Sequence, residues 1–373
     1  QHRIVADDLM APYDSPPFDQ SLMDGYAVRS ADTRTAAPDH PVRLPVGSTL
    51  TAGDALHESV MPRQAIRIMT GAPIPPGVNA IIKVEDSETE AGVLIIRQPI
   101  PRGRYVQRRG EEIRRRTVIV RAGERLTPQR IATALSLGID TVEVVRCPRV
   151  AFVAPGDELL PPGAPLQPGK KWCSNLYGLE LRAREVGVIP VNLGIVPDTL
   201  AALSERLEAG LESDVVVVLG ASGRGEHDFA ARAMDEIGAN TLFRGVATSP
   251  GRTVLVAHHQ QRLIFGLPGS PWATFVGFEV FVWPALRAML GQHPKLPPMR
   301  EARLTDAVEV RRGVTHFLPA RLQSELDGLR ATPLTTSLAL AQVDTQHLGL
   351  IIVPPHRRAF VPGARVRVQS LMS

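Results

Sequence analysis

Asp214-Val-Val-Val-Val-Leu219, followed by Gly220-Ala-Ser-Gly-Arg-Gly-Glu-His-Asp228, decides how this chain is read. The strand it predicts is apolar at every position, not at alternate ones, as befits a parallel sheet covered by helices on both faces. A glycine-rich turn comes next, and Phe229, Ala233 and Ile237 then recur at helical spacing. Strand, turn and helix in that order put the turn at the carboxyl end of a parallel strand, where sheets of this type bind their ligands.

The pattern repeats on either side. Val150-Ala-Phe-Val153 runs into Pro155-Gly-Asp-Glu158, and Leu176, Leu179, Ala183 and Val186 then share one helical face, with Ser174 expected to cap it. Val188-Ile-Pro-Val191 precedes Asp198, the expected N-cap of a helix carrying Leu200, Leu203, Leu207 and Leu211. Leu263-Ile-Phe265 enters Gly266-Leu-Pro-Gly-Ser-Pro271, after which Phe275, Phe278, Val282 and Leu286 form a stripe. Strands alternating with helices predict βαβ units joined by right-handed crossovers, hence a doubly wound, mostly parallel sheet.

The flanks differ. From Val42 to about Val118, short strands such as Ala65-Ile-Arg-Ile-Met69 and Ala80-Ile-Ile-Lys-Val84 are punctuated by glycine and proline, predicting a small β-rich domain. Past Pro294, Pro297 and Pro298, alternating segments such as Gly363-Ala-Arg-Val-Arg-Val-Gln369 predict a C-terminal β-barrel or compact sheet domain. The expected division is an N-terminal domain from 1–20 and 119–147, an inserted β-rich domain over 21–118, an α/β domain over 148–293 and a β domain over 299–373. Arg3-Ile-Val-Ala-Asp-Asp-Leu9 reads as the end of an element, so further residues are expected to precede Gln1.

Hydrophobic residues make up 44% of the 373, enough to bury more than one core. No apolar run approaches the roughly 18 to 20 residues of a membrane span, and no charged-then-apolar leader opens the sequence. Cys147 and Cys173 supply neither a disulfide framework nor a multi-cysteine zinc site, and a cytoplasmic setting is expected. Lysine occurs only at Lys83, Lys170, Lys171 and Lys295. Arginines 102, 104, 108, 109, 114, 115 and 116 cluster around Glu111 and Glu112, as either a solvated loop with local ion pairs or a phosphate-recognising surface. Nucleic acid is not the expected partner, since Tyr105 is the one interleaved aromatic and no recognition motif accompanies it.

Eight segments, in order along nearly the whole chain, resemble those of the molybdopterin molybdenumtransferases, the molybdenum insertases of the MoeA and gephyrin E-domain type. They are Pro16-Pro-Phe-Asp-Gln-Ser-Leu-Met-Asp-Gly-Tyr-Ala-Val28, Thr70-Gly-Ala-Pro-Ile-Pro-Pro-Gly-Val-Asn-Ala80, Arg109-Gly-Glu-Glu-Ile113, Gly156-Asp-Glu-Leu159, Ser174-Asn175, Gly220 to Asp228, Ser249-Pro-Gly-Arg252 and Gly266-Leu-Pro-Gly-Ser-Pro271. The resemblance implies an elongated homodimer whose α/β core is of the molybdopterin-binding type. The implied reaction inserts molybdate into adenylylated molybdopterin, with hydrolysis releasing AMP. Magnesium is the implied metal, and a molybdopterin adenylyltransferase the upstream partner.

Carried over position by position, the resemblance makes Asp228, Asp24, Thr70, Glu158, Glu112 and Asp198 catalytic, with Asp24 and Thr70 coming from the partner subunit. It assigns substrate binding to Gly220, Ser222, Gly223, Gly225, Ser174, Asn175, Pro250, Gly251, Arg252, Pro268, Gly269 and Ser270. Asp228, Asp157 and Glu158 become the metal ligands, which suits hydrated magnesium, held by one or two carboxylates beside phosphate oxygens. The chain also departs from the family. Ser222 sits one place early in its turn, Arg224 replaces a small apolar residue, Glu112 an aspartate and Ser270 an asparagine, and Ser249-Pro-Gly-Arg-Thr253 lacks a lysine and a proline. Two alternatives therefore stand beside the insertase: a diverged relative acting on another oxyanion, such as tungstate, or on another nucleotide-pterin, and a non-catalytic dimeric binding or scaffold protein.

Overall fold

The computed structural model describes every residue except 1–2, 56–58, 221–228, 293–295, 297, 336–343, 345–346 and 372–373. Two compact units emerge, one built chiefly from Asp7–Ala122 and Leu126–Glu143, the other from His2–Ala6, Gly123–Arg125 and Val144–Ser373.

The first unit holds a six-stranded mixed sheet of β1 (Gly25–Val28), β2 (Val42–Leu50), β3 (Ala65–Ile68), β4 (Ala80–Lys83), β5 (Glu88–Glu90) and β6 (Val93–Ile96), in the order β4-β1-β3-β2-β6-β5. Because successive side chains alternate across a strand, Tyr26, Val28 and Ile82 enter one core while Ala27, Ile66 and Ile81 enter the other. Gly25 is required by close approach, since a Cβ there would lie 1.9 Å from the Ile82 carbonyl oxygen. In the arginine-rich loop Arg109 pairs with Asp14 at 2.7 Å and Arg104 with Asp86 at 3.6 Å. Helix α1 (Pro128–Ser136) begins with Pro128 in its first turn, where a missing N–H costs nothing, and the Thr127 side chain accepts from the Arg130 N–H.

The second unit is organised by the predicted sheet. Its strands are β7 (Arg149–Pro155), β8 (Ile189–Val196), β9 (Val215–Leu219), β10 (Asn240–Arg244), β11 (Leu255–His259) and β12 (Arg262–Leu267), in the order β8-β7-β9-β12-β11-β10. The first four in that order are parallel, and β11 and β10 extend the sheet antiparallel. Val150, Phe152, Val215 and Val217 pack on one face against α2 (Ser174–Val186). Ala151, Val153, Val216 and Val218 pack on the other against α3 (Leu200–Gly210) and α4 (Phe229–Glu236). Every residue of β9 is buried, which is why the run had to be apolar throughout.

Two expected caps are corrected. Cys173, not Ser174, is the N-cap of α2, and it makes no side-chain cap; Ser174 is already helical. Thr199, not Asp198, caps α3, its hydroxyl accepting from the Ala202 N–H at 3.4 Å. The stripe from Phe275 to Leu286 is also not one regular helix. Between α5 (Pro271–Gly277) and α6 (Trp283–Met289), Phe278–Val282 forms a π turn in which the Trp283 N–H reaches back five residues to the Phe278 carbonyl. Pro284, which has no N–H to give a regular ladder, follows at once.

Beyond α6, strands β13 (Met299–Leu304), β14 (Thr315–Glu325), β15 (Gly328–Pro333), β16 (Leu348–Val353) and β17 (Arg365–Ser370) close into a five-stranded barrel in the order β14-β15-β13-β17-β16, with β16 returning to β14. Val276 packs with Phe317, Leu350 and Leu371, joining α5 to the barrel. A buried ion pair reinforces that join. Arg182 on α2 grips Glu279 of the π turn through Nε–Oε1 at 2.6 Å and Nη2–Oε2 at 3.2 Å, and Nη2 also donates to the Leu371 carbonyl at 2.5 Å. The guanidinium lies 4.1 Å from the centroid of the Trp283 ring. Burial opposes both charges: it raises the Glu279 carboxyl despite Arg182, while at Arg182 the Glu279 and Glu185 carboxylates outweigh it and hold the guanidinium above its ordinary value; the bidentate geometry marks the two as an ion pair.

Glu279→Ala would leave that guanidinium buried without its main counter-charge. It should cost about 3–5 kcal/mol in chemical denaturation, with part of the loss recovered in the double variant Arg182→Met, Glu279→Leu.

Candidate functional site

Strands β7, β9 and β12 are adjacent and parallel, so Pro155, Leu219 and Leu267 end together at one edge of the sheet. The chain leaves β7 towards β8 and leaves β9 towards the β12 side, making the carboxyl ends of β7 and β9 the point where the winding reverses. A cleft opens there. Its floor is formed by Leu219, Gly220 and Gly269, and its walls by Glu158, Lys171, Trp172 and the start of α2.

Local chemistry explains the floor. Gly220 takes a φ of 99°, accessible to glycine without strain, and its N–H donates to the Leu267 carbonyl at 2.9 Å. Gly269 lies against Gly220, where a Cβ on Gly269 would meet the Gly220 Cα at 3.4 Å, an ordinary contact distance. Asn175 fixes α2 to the same place, its Nδ2 donating to the Gly269 carbonyl at 2.9 Å and to Thr274 Oγ1 at 3.1 Å. Thr274 Oγ1 in turn donates to the Pro268 and Ser270 carbonyls. Asn175 therefore shapes the loop that carries Pro268, Gly269 and Ser270.

One wall folds back over the strand ends. Leu159–Leu160 pairs in parallel with Lys171–Trp172. The Lys171 ammonium lies 3.0 Å from Glu158 Oε1, and Lys170 Nζ donates to the Asp157 carbonyl at 2.5 Å. Burial raises the Glu158 carboxyl, but the hydrogen bond and charge of Lys171, with Lys170 nearby, prevail and leave it below its ordinary range. Asp157 Oδ1 accepts from the Asp198 N–H at 3.3 Å, so the loops after β7 and β8 are tied through these two acids. Burial pushes the Cys173 thiol above its usual range, outweighing the Leu176 N–H and Lys171. Among the described residues no three His, Cys, Asp or Glu side chains surround one point. Of the predicted carboxylate ligands among these residues, Glu158 lines the cleft and Asp157 stands in the loop beside it.

The predicted residues thus separate. Glu158, Ser174, Asn175, Gly220 and Gly269 line the cleft, and Asp157 and Asp198 stand in the loops beside it. Pro250, Gly251 and Arg252 are not in its wall; they follow Thr248–Ser249, which pairs with Thr315 and His316 of the barrel. In the first unit Asp24 Oδ1 accepts from both the N–H and Oγ1 of Thr70, each at 2.7 Å. Those two hydrogen bonds, helped by the charge of Arg67, keep the Asp24 carboxyl below its ordinary value against a smaller opposing desolvation. Glu112 accepts from Ser15 Oγ at 3.1 Å and from Gln107 Nε2 at 3.0 Å. Asp228, Ser222, Gly223 and Gly225 lie outside the described residues. The reading missed Lys171, Trp172 and Cys173 as cleft residues. A signal existed, since Lys170-Lys171 is the one lysine pair in a chain that uses arginine almost everywhere else.

A doubly wound unit with its cleft at the switch point has direct counterparts. Residues 151–288 match the family described as "Probable molybdopterin binding domain", and residues 1–138 match the "MoeA N-terminal region (domain I and II)". A molybdopterin molybdenumtransferase of Bacillus subtilis is 34% identical, covering 98% of this chain and 87% of the relative. Molybdopterin molybdenumtransferase 2 of Mycobacterium tuberculosis is also 34% identical, over 87% of this chain and 82% of its own length. The crystal structure of a molybdopterin biosynthesis MoeA protein from Pyrococcus horikoshii superimposes with a TM-score of 0.90 at 31% identity, covering 100% of this chain and 92% of that one. The chain belongs to the molybdopterin molybdenumtransferase family.

Two measurements test the local chemistry. Asp24 has its folded pKa lowered, so its bonds with Thr70 support the fold above the free-aspartate value and lose that support as pH falls through the folded value. Thr70→Val should raise the Asp24 pKa in carboxyl NMR titration and shrink the acid-induced loss of stability. Cys173, 3% exposed with a raised pKa, should resist alkylation at pH 8 while the partly exposed Cys147 reacts.

Proposed function

We infer that this chain is the molybdenum insertase of molybdenum cofactor biosynthesis, placing molybdate in adenylylated molybdopterin as AMP is released. The cleft at the reversal point of the α/β sheet carries the reading, because it assembles family-matched residues from three strand ends in a chain aligned to molybdenumtransferases over nearly its full length.

Cutting the phosphoanhydride of an adenylylated pterin needs an oriented anhydride, an in-line water and compensation of the charge that develops on phosphate. Gly220 and Gly269 leave room for the anhydride to approach the backbone. Lys171 brings a positive charge to the wall, already balanced by Glu158, so a phosphate entering the cleft would compete with Glu158 for the ammonium. Glu158 would thereby be released to act as a ligand or base. Asp157, Glu158 and Asp228 are proposed to hold magnesium, which would neutralise phosphate charge when bound. Asp24, Thr70, Glu112 and Asp198 belong to the same proposal as catalytic groups, and Ser174, Ser222, Gly223, Gly225, Pro250, Gly251, Arg252, Pro268 and Ser270 as substrate-binding positions. Homodimerisation, a cytoplasmic setting and delivery of substrate by a molybdopterin adenylyltransferase complete it. Among the described residues no helix is long and apolar enough to cross a membrane.

Incubation with adenylylated molybdopterin, molybdate and magnesium should release AMP together with active molybdenum cofactor. Asp228→Asn keeps side-chain shape and removes charge, so it should fold normally and lose about 100-fold or more in turnover. Unchanged turnover in that variant would remove Asp228 from the mechanism. A mass in solution equal to one chain would remove the homodimer.

A further inference from the structure

Trp172 stands apart from the other two tryptophans of the chain. Trp283 is 6% exposed within the core, and Trp272 is stacked on Phe275 with ring centroids 5.6 Å apart. Trp172 is 49% exposed and lines the cleft at the strand ends, in the same wall as Lys171 and next to the first residues of α2. An indole left half in water is not there to fill a core, since a buried tryptophan contributes most when its whole surface is covered.

Nor is it loosely placed. Its Nε1 donates to the Ala164 carbonyl at 2.9 Å, spending the one polar donor of the ring on the protein itself. The backbone on which it stands is paired, Leu160 opposite Trp172, and Lys170 ties the same strand end to Asp157. What the ring has left to offer the cleft is its π surface and edge. A rigidly held, half-exposed aromatic in a cleft wall, beside a lysine, suits a flat nitrogen heterocycle carrying a phosphate. The heterocycle would stack on the indole while the phosphate meets the ammonium of Lys171.

We propose that Trp172 is the stacking platform for the planar heterocycle of the substrate. The proposal rests on the insertase reading for the identity of that substrate, whose two flat ring systems, the pterin and the adenine, share this chemistry. No residue-level role for Trp172 follows from the motifs that match the family, because it lies between Gly156-Asp-Glu-Leu159 and Ser174-Asn175 and belongs to neither.

The test titrates the full-length protein with AMP and, separately, with a phosphorylated pterin, by calorimetry and by tryptophan fluorescence. Three chains are compared: wild type, Trp172→Phe and Trp172→Ala. Stacking by an aromatic side chain predicts that Trp172→Ala weakens one of the two ligands about 5- to 150-fold, while Trp172→Phe keeps most of the affinity. Ligand-induced quenching should be present in wild type and lost in both variants. Weakening confined to AMP places adenine on the ring, and weakening confined to the pterin places the pterin there; either supports the platform. Unaltered binding of both ligands to Trp172→Ala overturns it. Thermal unfolding of both variants is followed in parallel, and Trp172→Phe, which preserves a flat ring, keeps the test informative should the alanine variant unfold. Wild-type AMP release from adenylylated molybdopterin is measured independently. Trp172-dependent binding without AMP release would sink the insertase reading and leave the platform standing. Normal AMP release with Trp172-independent binding would do the reverse.

Discussion

The buried contact of Arg182 with Glu279 is the constraint on which the second unit depends. One guanidinium holds three parts of the chain that are distant in sequence: α2, the π turn before α6 and the carbonyl of Leu371 at the end of the barrel. Such a pair gains its Coulombic attraction only after both charges have left water, so it stabilises the unit only in nearly this one geometry. The bidentate fork and the stacking on Trp283 supply that geometry. Because α2 opens at the cleft, the same contact that fastens the barrel also orients the helix whose Asn175 shapes the cleft floor.

At the cleft the constraints are backbone conformation and hydrogen bonding, then charge. Gly220 takes a positive φ, and the hydrogen bonds of Asn175 and Thr274 fix the Pro268–Ser270 loop against α2. Around that floor the charges are already answered: Glu158 by Lys171, Asp157 by the Asp198 N–H. An anion entering such a site has an ammonium to compete for and a carboxylate to displace.

The first unit applies the same economy with different means. Its sheet feeds two cores, and Gly25 lets β1 run against β4 where a Cβ would meet the Ile82 carbonyl, with exposed Asp24 just before it. The carboxylate then finds both donors of Thr70, 46 residues away. That pairing turns two separate motif residues into one group with a lowered pKa.

Much of this was legible in the linear chain. The all-valine run of β9 declared a strand covered on both faces, the 3.6-residue stripes declared the helices, and the eight ordered motifs declared the family. These signals are local, set by burial pattern and by turn chemistry within a few residues. Thr199 and Cys173 took the cap positions expected of Asp198 and Ser174, because the exact start of a helix depends on how the preceding strand end is tied down. Asp198 is instead engaged by Asp157, across the gap between two strands. The π turn at Glu279 was not read from a stripe that fits a regular helix, although Pro284, which has no N–H to give a regular ladder, stands just after it. Trp172 carried no period or motif and Lys171 only the faint mark of the one lysine pair, and their segment is drawn back over the strand ends by its pairing with Leu159–Leu160. The sequence by itself determined which segments become the main strands and helices and to which family the chain belongs. Only the tertiary structure decided which side chains share the cleft, because that depends on pairings between residues far apart in the chain, which no local pattern encodes.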